Sequence, residues 1–232
     1  MSARTALVTG ASSGIGLACS RALSESGVHV IGVARKQPDS IEPFAAFIEA
    51  DLSSHDGLLS TLRSGLRGCD PPAICVNAAG AASLNHFLTT PEATIDRLMA
   101  INYGGTAIAI KAVAPGMVRG RWGRIINIST AAVPYNLAGE AGYIASKAAV
   151  ESLTRVLSHE LGGFGITVNA IGPPPTPTKM ISKVPDEKIA ALVKRQAIQR
   201  LGTEEDVTAV LQFLVGDDAG FVTGQVIRLG GP

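Results

Sequence analysis

Residues 9–16 read "TGASSGIG", directly after the apolar run "TALV" (5–8) and directly before a stretch of helical character. Gly10, Gly14 and Gly16 follow a G-x-x-x-G-x-G spacing. Glycine permits a tight turn and close approach to the backbone, and a helix opening behind the turn offers unpaired N–H groups to an anion. Strand, glycine turn and helix in that order suit the pyrophosphate of a dinucleotide. Ser12 and Ser13 add hydroxyl donors, and Ile15 belongs to the same candidate contact set.

Outward from that loop, short β-rich apolar runs alternate with longer helical ones. Strands are predicted at 5–10, 28–34, 47–51, 73–78, 124–129, 166–171 and 225–229. Helices are predicted near 15–26, 57–67, 92–118, 143–161, 186–198 and 204–214. This alternation predicts an α/β chain: one Rossmann-type, doubly wound parallel sheet of about seven strands with helices on both faces. Without an internal repeat or a low-complexity linker, residues 1–232 read as one dinucleotide-binding domain. The segment "RKQPDSIEPFAAF" is short and carries Pro38 and Pro43, so no full crossover helix is expected there. The stretch "GPPPTPTKM" (172–180) holds Pro173, Pro174, Pro175 and Pro177 and predicts a stiff extended loop.

Cofactor choice is read at the end of the second strand. An acidic residue there would bind the ribose 2′-hydroxyl of NAD. This chain has Ala34, Arg35 and Lys36 instead. Arginine holds a 2′-phosphate with a bidentate fork, so NADP(H) is expected over NAD(H).

"YIASK" places Tyr143 and Lys147 four apart in a predicted helix, on one face. A phenol titrates near ~10, and a neighbouring ammonium is expected to lower that value and make it a usable proton donor or acceptor. Upstream, "NIST" (127–130) supplies two adjacent hydroxyls, Ser129 and Thr130. Neighbouring side chains on a strand face opposite ways, so only one can serve the site.

Composition narrows the alternatives. A hydrophobic fraction of 46% is ample for a core, and a net charge of +1 gives no warrant for nucleic acid or an anionic membrane. Cys19, Cys69 and Cys75 are odd in number and lack C-x-x-C, which suits reduced thiols in a reducing compartment. The four histidines show no metal-ligand spacing, so no metal is expected. The opening "MSARTALVTG" lacks signal-peptide character and no run approaches a spanning helix, so a cytoplasmic setting is expected.

"TGASSGIG", "NAAG" (77–80), "INYGG" (101–105), "NIST", "YIASK" and "GFVTGQVIRLGG" occur in this order across almost the whole chain. The combination resembles the short-chain dehydrogenase/reductase family, and within it the 3-oxoacyl-acyl carrier protein reductases. The resemblance implies roles. Tyr143 would be the acid/base; Lys147 would lower its pKa and hold the nicotinamide ribose; Asn102 would position a water relaying protons to Lys147. Asn77, Ala78, Ala79 and Gly80 would line the cofactor, Asp51 and Leu52 would meet the adenine, and Thr178 would hold the carboxamide. The substrate-orienting hydroxyl usually lies thirteen residues before the tyrosine, and 143 − 13 points to Thr130, with Ser129 the alternative. In the loop after "NAI", Pro173 matches the family, whereas Pro174 replaces a glycine and Thr176 a branched aliphatic.

The expected activity is therefore an NADPH-dependent ketoreductase, with a lid near 179–200 over a carbonyl substrate. A 3-oxoacyl thioester on an acidic carrier protein could be steered by Arg119, Arg121 and Arg124; the alternative is a solvated basic turn. Trp122 beside them could pack at a subunit contact. A homo-oligomer, dimer or tetramer, is expected from the resemblance. The rival readings are an NAD-linked alcohol or steroid dehydrogenase and a low-turnover cofactor-binding scaffold or sensor.

Overall fold

The computed structural model describes residues 4–178, 181 and 184–231. Its strands are β1 (Thr5–Thr9), β2 (His29–Ala34), β3 (Ala46–Glu49), β4 (Ile74–Asn77), β5 (Gly123–Ile128), β6 (Ile166–Gly172) and β7 (Val226–Arg228). Its α-helices are α1 (Gly14–Glu25), α2 (Leu58–Gly65), α3 (Glu92–Leu98), α4 (Gly105–Gly120), α5 (Ala141–Gly162), α6 (Asp186–Val193) and α7 (Glu204–Val215). The strands form one sheet of order β3-β2-β1-β4-β5-β6-β7, parallel throughout. The order reverses between β1 and β4, and the crevice outside their carboxyl ends is where such sheets take ligands.

Two apolar cores sandwich the sheet. α1 and α7 cover one face through Cys19, Leu23, Val207 and Leu211. α2, α4 and α5 cover the other through Leu62, Ile110, Val113 and Leu153. Central strands buried on both faces read as continuous apolar runs, which is why β1, β2, β4, β5 and β6 were legible from sequence. Between β2 and β3 no helix forms. Instead Phe44 and Phe47 meet edge-on, centroids 5.2 Å apart, over Gly32, where a Cβ would lie 2.7 Å from the Phe47 ring.

The helix expected over 92–118 is broken. Between α3 and α4 the chain makes a wide π-type turn at Met99–Gly104. His55 Nε2 bonds the Ala100 carbonyl at 2.9 Å and packs against Gly104, holding the widened turn from outside. A π turn throws one side chain out of helical register, and such turns gather at functional sites. Here the displaced region carries the fully buried Asn102. Further on, Pro115 sits inside α4 and cannot bond the carbonyl of Lys111; the Arg63 guanidinium donates to that oxygen at 3.4 Å. The helix expected over 186–198 ends at Val193. Of the expected lid, Lys179, Met180, Ser182 and Lys183 lie outside the described residues.

Candidate active site

Sequence positions far apart meet at the carboxyl edge of β1, β4, β5 and β6. The glycine loop comes first. Gly10 has φ +67°, and a Cβ there would stand 2.7 Å from Ala79 backbone atoms. A Cβ on Gly16 would strike the Gly10 carbonyl, so the start of α1 lies against the turn. Ser13 caps α1 in extended conformation without spending its side chain on a cap bond. The loop's backbone thus turns toward the crevice with first-turn N–H groups unclaimed by the cap. These are the features a dinucleotide pyrophosphate needs, and the residues present fit it.

Arg35 and Lys36 are exposed just past the end of β2. Asp51 accepts from the Ser53 N–H (2.9 Å) and hydroxyl (2.7 Å), and these bonds, with the nearby Arg35 charge, hold its carboxyl below the usual range. One oxygen of Asp51 therefore shapes its own turn. Leu52 is buried, with its side chain against Gly105 in the core, so what it presents to the crevice is backbone. Asn77 is likewise buried; it donates to Asn127, which donates to Thr154, a ladder tying β4 and β5 to α5.

The reacting groups sit on α5. Lys147 is buried and donates from Nζ to the Ile128 carbonyl at 2.7 Å. Asn102 meets it over Gly80: a Cβ there would lie 3.0 Å from Asn102 Oδ1 and 3.4 Å from Lys147 Nζ. The Asn102 amide is otherwise spent. Its Oδ1 accepts from Ala81 N–H at 2.8 Å, and its Nδ2 donates to the Ala81 carbonyl and to Ser146 Oγ. Ser146 in turn donates to the Tyr143 carbonyl at 2.7 Å, linking the wide turn to the start of α5. Sequence reasoning missed Ser146; its signal was its place between Tyr143 and Lys147 on one turn.

The two hydroxyls of "NIST" part ways. Ser129 is buried and donates to Glu151 Oε1 at 2.8 Å, while the other Glu151 oxygen pairs with Arg228 at 2.6 Å. Thr130 lies beside Tyr143, close enough for its hydroxyl to lower the phenol's pKa. Tyr143, Lys147 and Glu151, at successive turns of α5, are thus each engaged with the end of β5.

The Lys147 ammonium is given to Ile128, and the largest influence on the Tyr143 phenol here is burial. Tyr143 is half-buried and lines the cleft, and burial pushes its phenol up to about 12. Thr130 lowers it and the Glu140 charge raises it. Burial also brings Lys147 down to about 8, so the lysine enters this site as a weakened cation already given to a carbonyl.

The proline loop is pinned over this group. Pro173 accepts from Ala131 N–H, Pro175 from Gly202 N–H, and the buried Thr176 hydroxyl bonds the Pro174 carbonyl. Thr178 comes down on the glycine loop: a Cβ on Gly14 would lie 3.4 Å from its methyl. A cleft of about 770 Å³ opens between these parts. Ile15, Ala78, Gly80, Thr130, Tyr143, Lys147, Pro173, Thr176 and Thr178 line it. Leu84, Leu137, Ile181, Val184 and Leu192 form an apolar far wall, and Glu140, Lys188 and Arg195 add charge. Leu84, Leu137 and Glu140 were not identifiable from sequence, because no motif carries them; Ile181, Val184, Lys188, Leu192 and Arg195 fall in the segment expected as a lid.

A second cavity, about 580 Å³, lies around Arg4, Pro71 and Trp122, near the amino end of β5. Trp122 is stacked between the Arg4 and Arg124 guanidinium groups, 4.0 and 4.4 Å from the ring centroid. Arg124 is buried and Arg121 bonds the Gly163 carbonyl, so of the three arginines of 119–124 only Arg119 lines that cavity. Among the described residues no group of three His, Cys, Asp or Glu is placed to hold a metal ion, and no helix is long and apolar enough to cross a membrane.

Comparison with known proteins agrees with this geometry. A family model described as Enoyl-(Acyl carrier protein) reductase matches residues 10–231. The chain is 34% identical to 3-oxoacyl-[acyl-carrier-protein] reductase FabG of Pseudomonas aeruginosa, over 98% of this chain and 96% of that protein. A crystal structure of a putative NAD(P) dependent gluconate 5-dehydrogenase from Beutenbergia cavernae, with bound NADP at low occupancy, superposes with a TM-score of 0.90 at 29% identity, covering 97% of this chain and 94% of that one. A short chain dehydrogenase/reductase family protein superposes with a TM-score of 0.87 at 33% identity, covering 98% and 96%.

Proposed function

This chain belongs to the short-chain dehydrogenase/reductase family, NAD(P)-dependent oxidoreductases acting at a carbonyl or alcohol carbon, and on that premise we propose that it is an NADPH-dependent ketoreductase. The observation that carries the reading is the meeting of Thr130, Tyr143 and Lys147 in one cleft beneath the glycine loop.

In this reading Gly10–Gly16, Ser12 and Ser13 hold the pyrophosphate, and Arg35, with Lys36 beside it, takes the 2′-phosphate. Asp51, Leu52 and Asn77 to Gly80 line the adenine side, and Pro173, Thr176 and Thr178 the nicotinamide side. When bound, the reduced nicotinamide supplies a hydride to the substrate's carbonyl carbon. Tyr143 gives its proton to the carbonyl oxygen, and Thr130 donates a hydrogen bond to the same oxygen as charge develops on it. Lys147 and Asn102, both beside Gly80, form the route by which the Tyr143 proton is replaced.

The apolar far wall favours a substrate with hydrocarbon character, and the likeness to acyl-carrier-protein reductases makes a 3-oxoacyl thioester one candidate. A homo-oligomer, supported by exposed Val156 on α5 and Phe213 on α7, and a cytoplasmic setting complete the reading. The test is a panel of acyl thioesters, cyclic ketones and aromatic ketones read by NADPH absorbance. Reduction of members of one class supports the reading; binding of NADPH with no turnover on any class would favour the scaffold or sensor.

A further inference from the structure

The cleft carries charge that proton transfer and hydride transfer do not use. Glu140, the residue before α5, lines it from the body of the domain; Lys188 on α6 and Arg195 beyond α6 line it from the opposite wall. Arg195 is tied across the mouth: its guanidinium lies 5.7 Å from the Tyr135 ring centroid, and Tyr135 donates its hydroxyl to the Arg195 carbonyl at 3.3 Å. Among the described residues no ion pair engages the half-buried Glu140 carboxylate. Its position one turn before Tyr143 sets it beside the reacting end. Glu140 raises the Tyr143 phenol and Lys188 acts on Glu140. The cleft therefore carries negative charge on the segment that bears Tyr143 and positive charge on the α6 segment facing it.

Resting on the ketoreductase reading, we propose that Glu140 is a specificity-determining residue that keeps anionic groups out of the inner cleft and favours ketones bearing a cationic or hydrogen-bond-donating group near the carbonyl. The physical basis is cost. A carboxylate that has lost part of its hydration gains from a donor or cation brought by the substrate, and it repels an anion in a medium that screens poorly. The competing account is a latch, in which Glu140 and Lys188 only draw the two walls together. A latch would act on every substrate alike; a selector must discriminate by charge.

Three ketones of one shape separate these: 4-isopropylcyclohexanone (neutral), 4-(dimethylamino)cyclohexanone (cationic) and 4-oxocyclohexanecarboxylate (anionic). kcat/KM is measured at pH 7.5 for the wild type and Glu140→Gln. Binding of the three matching cyclohexanols to the protein–NADP⁺ complex is measured by calorimetry, which needs no turnover. The expected result is that, taken relative to the neutral member, Glu140→Gln improves the anionic member about tenfold or more and weakens the cationic member by a similar factor, whatever common change the altered charge beside Tyr143 brings to all three. A uniform change across the three, no change, or no binding by any of them overturns the proposal. If no ketone is reduced but the alcohols rank by charge and re-rank in Glu140→Gln, the ketoreductase reading fails and the charge selection by Glu140 stands.

Discussion

The Ser129 hydroxyl is given to Glu151 at 2.8 Å, farther along α5 than the phenol that its neighbour Thr130 adjoins. Ser129→Ala should therefore cost stability with little effect on turnover. Glu151 would keep its Arg228 partner but lose a buried donor, a loss of about 1–3 kcal/mol. Thr130→Val removes the donor facing the substrate oxygen and should lower kcat by about 10²–10³-fold, with Thr130→Ser restoring most of it. Paired thermal melts and steady-state kinetics check both. The assignment fails if Ser129→Ala is the variant that loses turnover.

Burial of Lys147 makes stability pH-dependent in a known direction. Its folded pKa, about 8, lies below its unfolded value. Between those values the unfolded chain binds the extra proton, so stability rises with pH across roughly pH 8 to 10.5. Below that window the cost of the buried ammonium is fully present, on the order of 3 kcal/mol. The difference in unfolding free energy, wild type minus Lys147→Met, should therefore increase through the window. Tyr143 works oppositely: with a folded pKa of about 12, above the unfolded phenol, its contribution is present below ~10 and fades as pH rises toward 12. Urea melts from pH 7 to 10 on both proteins read the lysine effect; a flat difference contradicts it.

Gly10→Ala tests the cradle. At φ +67° with Ala79 backbone 2.7 Å from the new methyl, the substitution is both strained and sterically blocked. A destabilisation of about 2 kcal/mol or more is expected, with loss of NADPH binding by calorimetry. Gly27→Ala is a control, since Gly27 has φ +79° but nothing within 4 Å of a Cβ. It should show the strain without the loss of cofactor affinity.

Arg35→Ala tests cofactor choice. Removal of the guanidinium fork should raise the KM for NADPH about 10- to 100-fold and leave NADH within about twofold. Equal losses for both cofactors would place Arg35 outside the 2′-phosphate site.

Much of this molecule was legible before any coordinates. Strands β1, β2, β4, β5 and β6 announce themselves as apolar runs because they are covered on both faces. The glycine loop was legible because Gly10 and Gly16 leave no room for a side chain. The break at Met99–Gly104 was hidden, since the segment contains no proline and helical sequence runs on either side of it. Which of Asp51 and Leu52 sends its side chain into the core was not legible, because adjacency in sequence says nothing about it. The commitment of the Lys147 ammonium was hidden for a related reason. Spacing puts Lys147 one turn from Tyr143, but only the fold shows the ammonium committed to Ile128 and burial prevailing. Glu140 comes from one segment and Lys188 and Arg195 from another, and no motif joins them, so only packing brings them together.

The central claim is that the Tyr143 hydroxyl is the proton source for carbonyl reduction. Its most direct measurement is single-turnover reduction of a ketone found active with the wild type, by Tyr143→Phe saturated with NADPH, alongside NADPH affinity by calorimetry. The account predicts unchanged affinity and a reduction rate lowered by about 10²–10⁴-fold. A rate within threefold of wild type would contradict it.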